Sequence, residues 1–236
     1  MKKFWKWLEN YWYHYKWVTI VAVFVAVIAV IGISQMLNKE DADVRMVYFG
    51  PATVSGQQAG DMEFAFEQMM KSDYDGDGTK SVQITVLNYY TEEQYAEKKK
   101  EAEENETFFA YDPSKASDTI SQLNTLIGTG DTAICLLDDE MYESLKEQGA
   151  FETLETVLGY KPEYALDDYS VYLGDTELAK SYSVFGAIPE NTRLCVCKLS
   201  QNTYFMNKNA VSKAHERHLQ MFRDIFAFVN DAKEEN

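Results

Sequence analysis

Residues 120–158 read ISQLNTLIGTGDTAICLLDDEMYESLKEQGAFETLETVL, and the order of elements in this stretch decides the fold. Ile120, Leu123 and Ile127 recur at helical spacing, and the pattern stops at Gly128. Residues 132–137 (TAICLL) form a short apolar run, the length and composition of a buried strand. Residues 140–148 predict a helix that Gly149 ends. A less regular stretch with Phe151, Leu154 and Leu158 follows. Helix, strand and helix in succession are the building units of a parallel sheet.

The flanking sequence repeats this alternation. On the amino side, 44–49 (VRMVYF) predicts a strand that Gly50-Pro51 closes. Residues 57–71 predict a helix with Ala59, Met62, Phe66, Met69 and Met70 on one face. After a polar loop at 72–80, a second strand at 81–87 places Val82, Ile84 and Val86 on one side. Thr91-Glu92-Glu93-Gln94 fits a capping box opening a helix so charged that it belongs on the surface. On the carboxyl side, 182–188 and 193–199 predict two strands joined by a turn at 189–192, a hairpin giving the sheet a mixed edge. Residues 211–229 close the chain with a helix.

The expectation is therefore a three-layer α/β domain over 44–236, with a largely parallel mixed sheet and helices on both faces. Ligands of such sheets sit outside the carboxyl ends of the strands. Those ends are 50–55, 88–90 and 138–142, so Tyr89, Tyr90, Asp138, Asp139 and Tyr142 are the candidate ligand-binding residues.

Ahead of this domain, residues 17–37 (WVTIVAVFVAVIAVIGISQML) carry no charge. At ~1.5 Å per residue such a helix crosses a ~30 Å hydrocarbon core. Lys2, Lys3, Lys6 and Lys16 precede it against Glu9 alone, and Lys39, Glu40, Asp41 and Asp43 follow. The positive-inside rule puts 1–16 in the cytoplasm, the span at 17–37, a linker at 38–43 and the α/β domain outside the cell. A cleaved signal peptide has a shorter apolar core and a small-residue cleavage site; here the nearest candidate is Gly32-Ile33-Ser34. A lipoprotein needs a cysteine just after the core, and the first cysteine is Cys135. All four tryptophans lie within the first 17 residues, an interfacial aromatic belt or a docking helix for a membrane partner.

Charge narrows the functions. The chain carries 38 acidic and 22 basic residues, a formal net charge of -16, and nucleic-acid binding needs the opposite balance. No G-x-S-x-G, P-loop or G-x-G-x-x-G is present, and acidic pairs such as Asp167-Asp168 are expected by chance in so acidic a chain, so no enzyme is expected.

The succession VRMVYF, AFEQMM, VQITVL, ISQLNTLIGTG, DTAICLLDD and MYESLKEQGAFETLETVLG resembles the first lobe of extracellular solute-binding proteins, the substrate receptors of bacterial ABC importers with the type II periplasmic-binding fold. The likeness covers residues 44–158, and the chain outside the anchor is too short for two full lobes. Together with the anchor it is similar to single-pass membrane proteins of anaerobic Firmicutes. The resemblance implies a membrane-anchored binding or scaffold module with one lobe, an accessory subunit to a transporter-like membrane partner.

Asp73-Tyr74-Asp75-Gly76-Asp77-Gly78 matches the first half of an EF-hand-type calcium loop. Asp73, Asp75 and Asp77 would supply carboxylates and Thr79 its carbonyl. The twelfth position is Ile84 rather than Glu, so a further acid such as Asp61 or Glu63 is required. The plainer reading is an Asp/Gly-rich turn. If the loop holds calcium, the alternative function is a calcium-stabilised cell-surface interaction domain without a small-molecule ligand. His215 and His218, at i and i+3, lack metalloprotease spacing and read as surface histidines on an amphipathic helix. Cys195 and Cys197 share a strand face that Cys135 is able to neighbour, and buried free thiols are expected.

Overall fold

The computed structural model describes residues 2–37, 42–199 and 208–228; side chains are described for Trp5, 11–25, 27 and 28 of the first helix, and for 42–199 and 209–228. The chain divides into two units, Met1–Asp41 and Ala42–Asn236.

The first unit is one helix, α1 (Lys2–Leu37). The uncharged run at 17–37 lies inside it. Tyr11 and Tyr15 stack at 5.4 Å between centroids, and the Tyr11 and Thr19 hydroxyls are 3.0 Å apart. Among the described residues no helix is long and apolar enough to cross a membrane. The expected span is therefore not carried by the described part of α1; the side chains of 29–37 lie outside it.

The second unit is α/β. Its elements run β1 (Val44–Gly50), α2 (Gly56–Met69), β2 (Val82–Asn88), α3 (Glu92–Glu104), α4 (Ala116–Thr129), β3 (Ile134–Leu137), α5 (Asp139–Glu147), α6 (Leu154–Leu158), β4 (Ser170–Tyr172), α7 (Glu177–Ser181), β5 (Arg193–Val196) and α8 (Lys208–Ala227). The five strands among the described residues form one mixed sheet in the order β2-β1-β3-β5-β4. β1 runs parallel to β2 and β3, whereas β5 runs antiparallel to β3 and β4.

Alternation along β1 sends residues to opposite faces. Val44, Met46 and Tyr48 pack with Met62 and Phe66 of α2 and with Met221, Phe222 and Ile225 of α8. Val47 and Phe49 pack on the other side with Leu123 of α4 and with Met141, Tyr142 and Leu145 of α5. Both faces are covered, the expected three layers. Capping boxes open α2 (Ser55 with Gln58) and α3 (Thr91 with Gln94), and no residue of α3 is buried. β2 is an edge strand, and α2 blunts it: Glu67 accepts from Val82 N–H at 3.2 Å and Glu63 from Ile84 N–H at 2.7 Å.

Three expectations are corrected. Residues 182–188 are not a strand: Ser183–Ala187 form a 3₁₀ helix. The apparent alternation there gives way to an i, i+3 pair, because Phe185 meets Phe66 edge-on at 5.2 Å and Ile188 is buried beside it. The antiparallel partners of β5 are β3 and β4, and β4 is a three-residue strand too short to leave a periodic signal. His215 and His218 are buried rather than on the surface. The three cysteines are free and buried, with Cys135 Sγ 3.5 Å from Cys197 Sγ on the neighbouring strand segment.

Candidate functional site

The order β2-β1-β3 places a topological switch point between β1 and β3, and ligands of open α/β sheets collect outside the carboxyl strand ends at such a point. A cleft of about 330 Å³ lies there. Its lining comes from the end of β1 (Tyr48, Pro51), the first turns of α3 and α5, and the segment leading into β5 (Pro189, Asn191, Thr192).

The floor is tightly built. Asp138 N–H donates to Phe49 C=O at 3.0 Å and Tyr89 N–H to Gly50 C=O at 2.9 Å, which stitches the three strand ends together. Asn88 Nδ2 donates to Ala52 C=O at 3.0 Å. The buried Tyr48 hydroxyl accepts Ala52 N–H at 3.0 Å, and burial raises its pKa. A Cβ on Gly50 would lie 2.7 Å from that hydroxyl oxygen, so the turn needs glycine for close approach.

Asp138 is the polar centre. It caps α5: Oδ1 accepts Met141 N–H at 2.9 Å. Its other oxygen, Oδ2, is buried and has no hydrogen-bond partner. Burial pushes the carboxyl up to about 6, against the pull of the Met141 N–H and with the help of Glu140 and Asp139. Glu93, Glu97, Asp139 and Glu140 complete the acidic lining, and among the described residues none of the lining side chains is basic.

The sequence candidates divide. Asp138 and Asp139 line the cleft. Asp139 also pairs with Arg193 Nε, whose guanidinium lies 4.4 Å above the Tyr142 ring. Tyr142 is fully buried, stacks on Phe151 at 5.0 Å and gives its hydroxyl to Asp167 at 2.7 Å, so it supports the site from below. Hydrogen bonds from Lys146 and Tyr142 outweigh burial at Asp167 and take its carboxyl down to about 2. Tyr89 stacks on Phe49 and Tyr90 packs edge-on against Phe109 and Tyr111, and neither lines the cleft. Sequence reasoning missed Tyr48, Asn191 and Thr192. For Asn191 and Thr192 the signal is the direction of β5, which begins where β3, antiparallel to it, ends.

The aspartate loop lies elsewhere, before β2. Asp73 accepts N–H groups of Asp75, Gly76 and Gly78 at 3.1, 2.7 and 2.7 Å, which holds its carboxyl below the usual range. Gly76 and Gly78 take φ of 83° and 98°, as the tight turn requires. Asp77 caps Thr79 N–H at 2.8 Å and is not part of the acid cluster that forms. That cluster is Asp43, Asp73 and Asp75, whose oxygens lie within 4.8 Å of one another. Asp43, expected in the linker, is buried, accepts from Tyr74, Asp75 and Ser81 N–H, and has its pKa raised mainly by burial. Glu63 is committed to β2 as described. Arg217 Nη1 approaches Asp75 at 3.3 Å beside an open groove of about 820 Å³ between this loop and α8.

Compared with protein-family models, curated proteins and solved structures, the chain matches none.

Proposed function

We propose that this chain is a membrane-anchored extracytoplasmic binding module that takes a small solute at the β1/β3 switch point. The observation that carries this reading is the cleft of about 330 Å³ outside the carboxyl ends of β1 and β3, lined by polar side chains that include Asp138, Asp139 and Asn191. The uncharged run at 17–37 supports a single span with residues 1–16 in the cytoplasm. The aromatic and basic residues of 1–16 suit contact with a transporter-like membrane partner, to which the module delivers its solute. The test is a solute library screened by thermal shift on the full chain in detergent micelles. A ligand at ~100 times its Kd stabilises by ~2.7 kcal/mol. A broad library without any shift overturns the reading.

A second reading has its own support. The convergence of Asp43, Asp73 and Asp75 favours a calcium-stabilised interaction domain. Calcium would there replace Arg217 as the partner of Asp75. A chelator that leaves the melting curve unchanged after calcium loading removes this reading.

A further inference from the structure

We propose that Cys135 and Cys197 are a redox pair that closes to a disulfide while the chain folds, and that burial then locks the pair in the state it has reached. Their sulfurs lie 3.5 Å apart, in contact, with both residues buried. A disulfide holds its sulfurs at about 2.05 Å, so closure takes about 1.5 Å of approach. Cys197 lies just past the end of β5 at Val196, so that approach leaves the β3–β5 register in place.

The third thiol is the weaker partner. Cys195 stands directly opposite Cys135, but its Sγ turns to the Cys135 carbonyl at 3.6 Å. Cys197 N–H donates to Ala133 C=O at 2.8 Å, and hydrogen-bonded pairs recur at every second residue. Cys135 and Cys195 are therefore such a pair, with side chains farther apart than at the alternate positions.

The chemistry is thiol–disulfide exchange with a small disulfide, for which oxidised glutathione serves. One cysteine thiolate attacks it and releases a first glutathione thiolate; the second cysteine thiolate attacks the mixed disulfide and releases the other. The two cysteine protons pass to the released thiolates, and glutathione takes the two electrons. In the folded chain this exchange stalls. Both thiols sit in the apolar layer with Phe49, Leu123 and Met141. The hydrogen bond with Cys197, together with burial, raises the Cys135 thiol well above its ordinary value, so thiolate is scarce. The loop that closure seals, 136–196, carries α5, α6, β4, α7 and β5.

The experiment synthesises the full chain in a cell-free system with detergent micelles, in oxidised or in reduced glutathione. Free thiols are then alkylated in denaturant and the chain is digested with trypsin. The expected result is one free thiol after oxidising synthesis and three after reducing synthesis, with peptide 116–146 linked to 194–198. Peptide 194–198 holds both Cys195 and Cys197, so fragmentation at Val196 locates the bridge on the wild type, even where variants fold poorly. The link should survive Cys195→Ala and vanish in Cys197→Ala, and the linked chain should melt about 5–10 °C higher. The folded reduced chain should react with oxidised glutathione at least about tenfold more slowly than the chain in urea. Three free thiols after oxidising synthesis, a link between two chains, or a bridge at Cys195 overturns the pair. Equal rates with and without urea overturn the lock.

Discussion

His218 Nε2 accepts the backbone N–H of Arg45 at 3.1 Å, which ties α8 to the start of the central strand β1. The bond requires an unprotonated Nε2. Burial, with His215, Arg217 and Arg45 nearby, takes the imidazole down to about 3 from an ordinary 6.5. The unfolded chain therefore binds a proton that the folded chain refuses, and stability falls as pH drops through 6.5 toward 3. Urea unfolding at pH 5 should give a stability about 2 kcal/mol lower than at pH 7.5 from this group. His218→Gln should flatten that part of the profile, and an unchanged slope in the variant would assign the acid sensitivity elsewhere.

Asp138 acts with the opposite sign. Its folded pKa of about 6 lies above the unfolded value of 3.8, so the folded chain holds the extra proton. Its contribution is present at low pH and lost as pH rises through 6. Asp138→Asn preserves the cap and removes the buried charge. At pH 8 it should stabilise the protein by about 2–3 kcal/mol, with little change at pH 4. A variant that destabilises equally at both pH values would show that the cap, not the charge, dominates.

Gly50 and Tyr48 should couple. Gly50→Ala drives a methyl group into the Tyr48 hydroxyl and should cost about 1–3 kcal/mol. Tyr48→Phe removes the oxygen and leaves Ala52 N–H without its acceptor, a cost of similar size. In the double variant the contact with the hydroxyl is gone and only the ring carbon Cζ, 3.0 Å away, still crowds the new Cβ, so the two costs should fall short of additive in a double-mutant cycle. Strict additivity would refute the contact.

For the aspartate loop, millimolar calcium should raise the melting temperature more than magnesium does. Asp75→Asn should abolish the response, and Asp77→Asn should leave it intact because Asp77 is outside the cluster. Arg217→Gln should sharpen the response by freeing Asp75. Equal losses from Asp75→Asn and Asp77→Asn would restore the linear EF-hand arrangement.

What the sequence discloses is local. Capping residues such as Thr91 with Gln94, and runs such as VRMVYF, act within a few positions, and the structure realises both. Asp138 was legible because it follows an apolar run directly. The hairpin expected around residue 190 fails because strand partnership is a long-range choice: Leu194 and Cys195 pair across some sixty positions with Leu136 and Cys135. Asp43 was hidden for the same reason, since its burial depends on the loop thirty residues later folding over it. Polar residues on a loop announce solubility, and only the tertiary path turns Asn191 and Thr192 toward the mouth of a cleft.

The strand order also sets a timetable for synthesis. β4 joins the sheet only through β5, which the ribosome makes some twenty residues later. The apolar face that carries Val44, Met46 and Tyr48 waits longer still, for α8. A nascent chain halted near residue 190 thus displays an unclosed sheet edge beside β3 and an apolar face that α2 covers only in part, both of them surfaces for a chaperone or for a neighbouring nascent chain.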